Sequence, residues 1–309
     1  MHKTLSQLIK DKAHYLGFDL CGIAAAKKLQ NAETALIKWC NDGMHDNANY
    51  FIRDTNKRAN PQILYPAAKS VIVTGLNYFT RNRQKNTDAP VISMYALGKD
   101  YHNVVIQKLN ELLNYIKSVV PDAEGKAYCD NAPVMEKSWA VEAGIGWQGK
   151  NSIIINENIG SFFFIGTLLL NIELDYDNPF WGEKCENCTA CIDNCPTGAI
   201  NRDKTIDARK CIANITIESK IELPEHIIPL MGKRVYGCDI CQEVCPYNKK
   251  AEEHKTPEFV ISEDLANMDK NDWLNIDEKK FEKLFSESPV RRVKFDRFKK
   301  NIEVVLQNL

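Results

Sequence analysis

Apolar residues recur at helical spacing at Leu5, Leu8, Ile9 and Leu16, which predicts a helix over Leu5–Leu16. Leu20–Ala24 reads as a short apolar strand, and Ala32–Cys40 as a helix ending at Asn41-Asp42-Gly43. Ser70–Leu76 has the unbroken apolar character of a buried strand, and Val91–Leu97 reads as a second one. A helix over Asn103–Val119 is stopped by Pro121. A strand at Ala127–Cys129 runs into the loop Asp130-Asn131-Ala132-Pro133, followed by a helix over Val134–Ala143 that Gly144 closes. Strands at Ser152–Ile155 and Ser161–Leu170 complete the set. Helices and strands alternate without a regular βα repeat, so residues 1–177 are expected to form a mixed α/β (α+β) domain around an irregular sheet. The pattern breaks over 178–250, where cysteines replace apolar runs, and returns to helices over 251–309. In that tail Phe295, Phe298, Ile302, Val305 and Leu309 form one apolar stripe, which leaves the basic residues facing outward.

With 309 residues there is room for two domains, or for one large domain carrying an inserted module. Hydrophobic residues at 44% and charged residues at 26% give an ordinary soluble balance. The longest apolar run, Phe162 to Ile172, is well short of the ~18 residues that span a bilayer. The N-terminus Met-His-Lys-Thr-Leu-Ser-Gln lacks the apolar core of a signal peptide, so a cytoplasmic protein with no membrane partner is expected. A net charge of −1 by itself predicts no nucleic-acid partner.

The cysteines change the picture. Of 11, Cys21, Cys40 and Cys129 are scattered and read as small buried residues, while the rest crowd between Cys185 and Cys245. Cys185-x2-Cys188-x2-Cys191-x3-Cys195-Pro196 has the bacterial ferredoxin spacing, and Cys238-x2-Cys241-x3-Cys245-Pro246 repeats it without the leading cysteine. Short spacings wrap three thiolates around one face of a cubane. The x3 gap and proline turn the chain away, so the fourth cysteine reaches the other cluster. One [4Fe–4S] cluster is therefore assigned to Cys185, Cys188, Cys191 and Cys245. The other falls to Cys195, Cys211, Cys238 and Cys241, with Cys211 replacing the missing leader. A zinc site would use two pairs of ligands rather than a triplet plus a remote fourth. Such a ferredoxin-like module carries electrons and nothing more.

Gly144-x-Gly146-x-x-Gly149 has dinucleotide-fingerprint spacing but follows a helix and precedes a strand, the reverse of the order that fold requires. The loop Gly146-Trp147-Gln148-Gly149-Lys150-Asn151-Ser152 combines glycines with polar side chains, as a backbone approaching a large ligand does. On the residues alone Asp130 reads as a turn aspartate capping the helix that starts near Pro133 rather than as a catalytic group.

The sequence resembles the epoxyqueuosine reductases, cobalamin- and iron–sulfur-dependent enzymes of the last step of queuosine synthesis in tRNA. The resemblance is carried by Lys57-Arg58-Ala59-Asn60-Pro61, Leu97-Gly98-Lys99-Asp100-Tyr101-His102 and Asp130-Asn131-Ala132-Pro133. It continues through Ala143 to Asn151, Gly160-Ser161-Phe162-Phe163-Phe164 and Tyr236-Gly237-Cys238-Asp239-Ile240-Cys241. Many relatives carry a C-terminal helical-repeat extension that this sequence does not include, and Asn131 stands where a small hydroxylated residue is usual.

The resemblance implies a cobalamin held base-off and cycling between cob(II)alamin and cob(I)alamin. Arg58, Ser93, Asp130, Lys150, Asn151 and Ile165 would line it from the large domain, with Ala213 and Asp239 on the cluster side. It implies Asp130 as the general acid, with a pKa raised by burial against the corrin. It further implies a tRNA bearing epoxyqueuosine as substrate, an external low-potential electron donor, and a monomer. Lys220, Arg291, Arg292, Lys294, Arg297 and Lys300 would then meet tRNA phosphates, making binding salt-sensitive. Two other readings share parts of this evidence. One is a corrinoid iron–sulfur enzyme of the reductive dehalogenase kind, the other an electron-transfer subunit that carries only the clusters.

Overall fold

The computed structural model describes residues 3–220 and 222–308. Its central sheet is built on two long apolar strands, β2 (Ser70–Asn77) and β7 (Phe163–Leu170). Every side chain of β2 is buried, so both of its faces must be covered, as its unbroken apolar sequence requires. β1 (Leu20–Ala25) pairs with β2, and β4 (Gly125–Tyr128) pairs with β7, giving the order β1-β2-β7-β4 with every neighbour antiparallel. Alternate residues of β2 point to opposite faces. Ile72 and Leu76 pack with the helix Tyr101–Val119 through Val105, Leu109 and Leu112. Val71 and Val73 pack with Trp139 and Ala140 of the helix Glu136–Glu142.

The strand expected over Val91–Leu97 is cut short. Only β3 (Val91–Ile92) is extended, and the chain then turns into a 3-10 helix at Met94–Ala96. The cause lies 145 residues on, in Asp239, which accepts from the Met94 amide at 2.7 Å and from the Ser93 hydroxyl. These bonds end the ladder and tie the large domain to the cysteine-rich segment. There β8 (Arg234–Tyr236) runs parallel to β3. The strand expected over Ser152–Ile155 shrinks likewise to β6 (Ile154–Ile155), paired with β5 (Trp147–Gln148), because Ser152 takes a left-handed φ of 60°.

The tail closes over both regions. Phe298, Ile302 and Val305 of the helix Phe295–Gln307 are buried and Phe295 is partly so; Leu309 of the expected stripe lies outside the described residues. One buried position was not foreseen. Asn301 donates to the carbonyls of Thr216 at 3.0 Å and Val235 at 2.9 Å, pinning the tail to the cysteine-rich segment. A single apolar core contains Ile72, Ile212, Met231 and Phe298, and so crosses the divisions at 177 and 250. Among the described residues no helix is long and apolar enough to cross a membrane.

Candidate functional site: two thiol quartets beside a shared cleft

The short helices Ala190–Asp193 and Ile240–Glu243 carry Cys191 and Cys241, each the last cysteine of a Cys-x2-Cys turn, and pack against one another. Cys185, Cys188, Cys191 and Cys245 surround one hollow, so the last cysteine of the second run joins the first three. Burial pushes the Cys191 thiol up to about 11, with further upward pressure from the neighbouring Cys185 and Cys245. In the second quartet Cys211 sits beside Cys195, and Cys241 beside both Cys238 and Cys211. The Ala199 amide points at the Cys195 sulfur from 3.3 Å. Just ahead of Cys238, Gly237 has a φ of 73° and passes so close to Ser93 that a β-carbon would stand 2.5 Å from it. Among the described residues no three metal-ligating side chains converge as they would on a single ion.

Next to the second quartet lies a cleft with two lobes, of about 910 and 750 Å³. Both are lined by Asp130, Glu136, Lys137, Glu218 and Arg292. The first lobe has an apolar floor from β7 (Phe163, Phe164, Ile165) and a wall from Ala213, Asn214 and Ile217 of the helix Ile212–Ile217. The second holds Arg58, which stacks over Phe51 at 4.5 Å and whose Nε is buried without a partner.

Asp130 stands where the lobes meet, in a left-handed backbone conformation with φ 51°. The Tyr101 hydroxyl donates to its Oδ2 at 2.8 Å, and Nε2 of His102 lies 3.7 Å from the same oxygen. Tyr101 is fixed by stacking on Phe164, ring centroids 4.2 Å apart. Asp100 caps the helix Tyr101–Val119 by accepting from the His102 amide, and the same oxygen lies 2.6 Å from His102 Nδ1. Burial works against a charged His102, but the Asp100 and Asp130 carboxylates overcome it and raise its pKa to about 9.

The expectation of a raised Asp130 pKa is therefore corrected. Burial pushes it up, but the cationic ring of His102 at 3.7 Å, the hydrogen bond from Tyr101 and the charge of Arg292 hold it below the usual carboxylate range. The proton resides on His102 instead. The carboxyl that rises is Glu136, pushed up to about 8 by burial and by the negative charge of Asp130.

Of the side chains expected to line a corrin, Arg58, Asp130, Ile165 and Ala213 reach the cleft. The other four do not. Lys150 donates to the carbonyls of Glu186 and Cys188, and Asn151 to that of Cys241, so both brace the cysteine loops. Ser93 and Asp239 bond to each other and line a separate side cavity.

The basic face is also rearranged. Arg297 turns inward and donates to the Ile215 carbonyl at 2.8 Å, because the Ile212–Ile217 helix ends beneath it. Arg292 pairs with Glu218 at 2.8 Å on the wall of the cleft, Arg291 faces Glu282 at 3.4 Å, and Lys300 bonds Glu222. Lys220 and Lys294 are exposed.

Two thiol quartets spaced for iron–sulfur clusters, the second of them next to a cleft large enough for a bulky ligand, define an iron–sulfur redox protein with room for a further ligand. Residues 184–248 match the family described as a 4Fe-4S double cluster binding domain, and residues 58–131 match Epoxyqueuosine reductase QueG, DUF1730. The curated epoxyqueuosine reductase of Cyclobacterium marinum is 41% identical over 301 residues, covering 97% of this chain and 96% of that one. The chain belongs to the epoxyqueuosine reductase family.

Solved structures agree. That of epoxyqueuosine reductase from Bacillus subtilis, with its catalytic aspartate loop swung out of the active site, superposes with a TM-score of 0.89 at 29% identity, covering 98% of this chain and 81% of that one. An epoxyqueuosine reductase crystallised with an epoxyqueuosine-modified tRNA-Tyr stem loop gives 0.85 at 29% identity and the same coverage. A reductive dehalogenase described as B12-dependent shares the fold alone, with a TM-score of 0.50 at 15% identity over 81% of this chain and 32% of that one.

Proposed function

We propose that the chain reduces the epoxide of epoxyqueuosine at the wobble position of tRNA to the alkene of queuosine. The overall change adds two electrons and two protons, and the epoxide oxygen leaves as water. The observation that carries the reading is Asp130, held by Tyr101 and His102 at the junction of a two-lobed cleft beside the second thiol quartet.

Each quartet would hold one [4Fe–4S] cluster, and the cleft would take a base-off corrinoid. The cleft suits such a group: Phe163, Phe164 and Ile165 at the start of β7 line it with apolar surface, and Arg58 presents a buried Nε with no partner of its own. Arg58, Ile165 and Ala213 would hold it, with Asp130 facing its reactive side. When bound, the corrinoid supplies the two electrons, received singly through the clusters from an external low-potential donor.

The chain's own residues manage the proton and the geometry. His102 carries a proton at neutral pH and holds its Nε2 near Asp130 Oδ2. Asp130 takes that proton as the epoxide C–O bond weakens and passes it to the departing oxygen, while Tyr101 fixes which carboxylate oxygen does so. Asp100, held ionised by His102, keeps its bond to Nδ1 and stabilises the charged ring, while solvent returns the proton to Nε2 and supplies the second proton of the reduction. On the rim, Arg291, Arg292, Lys220 and Lys294 would meet anticodon-loop phosphates, the modified base being splayed into the cleft.

Anaerobic titration of the cluster-loaded chain with cobalamin tests the reading. A base-off visible spectrum that saturates is expected. No spectral change would favour a two-cluster electron-transfer subunit.

A further inference from the structure

The bonds that aim the Asp130 carboxylate say nothing about what holds its backbone. A side chain in left-handed backbone geometry is disfavoured, so φ 51° at Asp130 must be maintained by its surroundings. Around it the loop bonds mainly to itself: the Cys129 amide donates to Asn131 Oδ1, and the Val134 amide to the Ala132 carbonyl. The Asp130 amide differs. It donates at 2.8 Å to Oε1 of Glu136, six residues on. Glu136 is the first residue of the helix Glu136–Glu142, and Trp139 and Ala140 of that helix are wholly buried against the sheet. The acceptor is thus mounted on the rigid side, and the residue it holds is the strained one.

We propose that Glu136 is the positioning residue of this site, its carboxyl oxygen holding the Asp130 backbone in the conformation that aims its side chain into the cleft. The role rests on the reading of Asp130 as the group that protonates the epoxide oxygen. Two carboxylates side by side would repel, and burial resolves the conflict by favouring the neutral acid at Glu136. A neutral carboxyl still accepts from an amide through its carbonyl oxygen. A glutamine at this position supplies the same acceptor, whereas alanine supplies none.

The test compares Glu136→Ala and Glu136→Gln in the full, cluster-loaded chain. A hydrogen bond of this type shifts a local equilibrium by about ten- to a hundredfold. Amide hydrogen exchange in residues 129–135 should speed up by about that factor in Glu136→Ala and stay near wild type in Glu136→Gln. With an epoxyqueuosine-bearing stem loop, kcat should fall at least about tenfold in Glu136→Ala with KM little changed, and recover in Glu136→Gln. Unchanged exchange in Glu136→Ala would overturn the proposal. So would a Glu136→Gln variant as inactive as Glu136→Ala with its loop exchange intact, since Glu136 would then be giving up a proton. The exchange measurement needs no substrate. A wild-type chain that turns over no epoxide would count against the proposed reaction and leave the backbone contact to be judged by exchange.

Discussion

Nδ1 of His102 and Oδ1 of Asp100 stand 2.6 Å apart, and the opposite edge of the same imidazole faces Asp130. The ring is therefore a cation between two carboxylates, and the charge of the site at neutral pH follows from that arrangement. Replacing Asp100 by Asn removes one carboxylate and should lower the His102 pKa by about 1–3 units. Activity of the wild-type chain should decline as pH rises through about 9, and the decline should move to lower pH in Asp100→Asn. A pH profile of kcat/KM for both proteins checks this.

The same groups bear on stability. His102 is raised above its ordinary value of 6.5 and Glu136 above 4.5, so each binds its proton more tightly in the folded chain. Their contributions are complete below those ordinary values and are lost as pH rises through about 9 and about 8 respectively. Thermal midpoints should therefore fall from pH 6 to pH 9, and fall less steeply in His102→Gln.

The cross-pairing of the cysteines makes a sharp prediction. Cys245 belongs to the second run in sequence but lines the hollow of the first quartet. Cys245→Ser should disrupt the cluster of Cys185, Cys188 and Cys191, whereas Cys211→Ser should disrupt that of Cys195, Cys238 and Cys241. Iron content and low-temperature EPR of the reduced variants distinguish the two losses. The same signal lost from both variants would refute the pairing.

Salt dependence of tRNA binding separates the exposed bases from the inward one. Lys294→Ala should weaken binding and reduce the slope of log K against log salt by about 1. Arg297 spends its guanidinium on the Ile215 carbonyl, so Arg297→Ala should leave the slope unchanged while lowering the melting temperature.

These contrasts mark how far the sequence was legible. Cysteine spacing carried the quartets because cluster ligation is a local, integer constraint on the chain. The buried strands β2 and β7 and the helix Tyr101–Val119 were readable from apolar period alone. Long-range polar contacts were not. Asp239 ending β3 after Ile92, Asn301 reaching Val235, and Arg297 folding back on Ile215 each depend on a partner dozens to more than a hundred residues away. Asp130 could be singled out, but its ionisation could not. That depends on His102 and Tyr101, which reach it from the start of another helix; the cue was the run Asp100-Tyr101-His102 at a helix N-terminus. Lys150 and Asn151, expected against the corrin from the family resemblance, donate to carbonyls of the cysteine loops, contacts that no local pattern announces.

We infer that this chain removes the epoxide oxygen of epoxyqueuosine by way of Asp130. The most direct measurement is nucleoside mass analysis of an epoxyqueuosine-bearing tRNA after anaerobic incubation with reductant, cobalamin and either the wild-type or the Asp130→Asn chain. The wild type should yield a nucleoside lighter by one oxygen, at a rate about 10²–10⁴ times that of Asp130→Asn, with cluster content equal in both. An unconverted nucleoside with the wild type, or equal conversion by the two chains, would contradict the account.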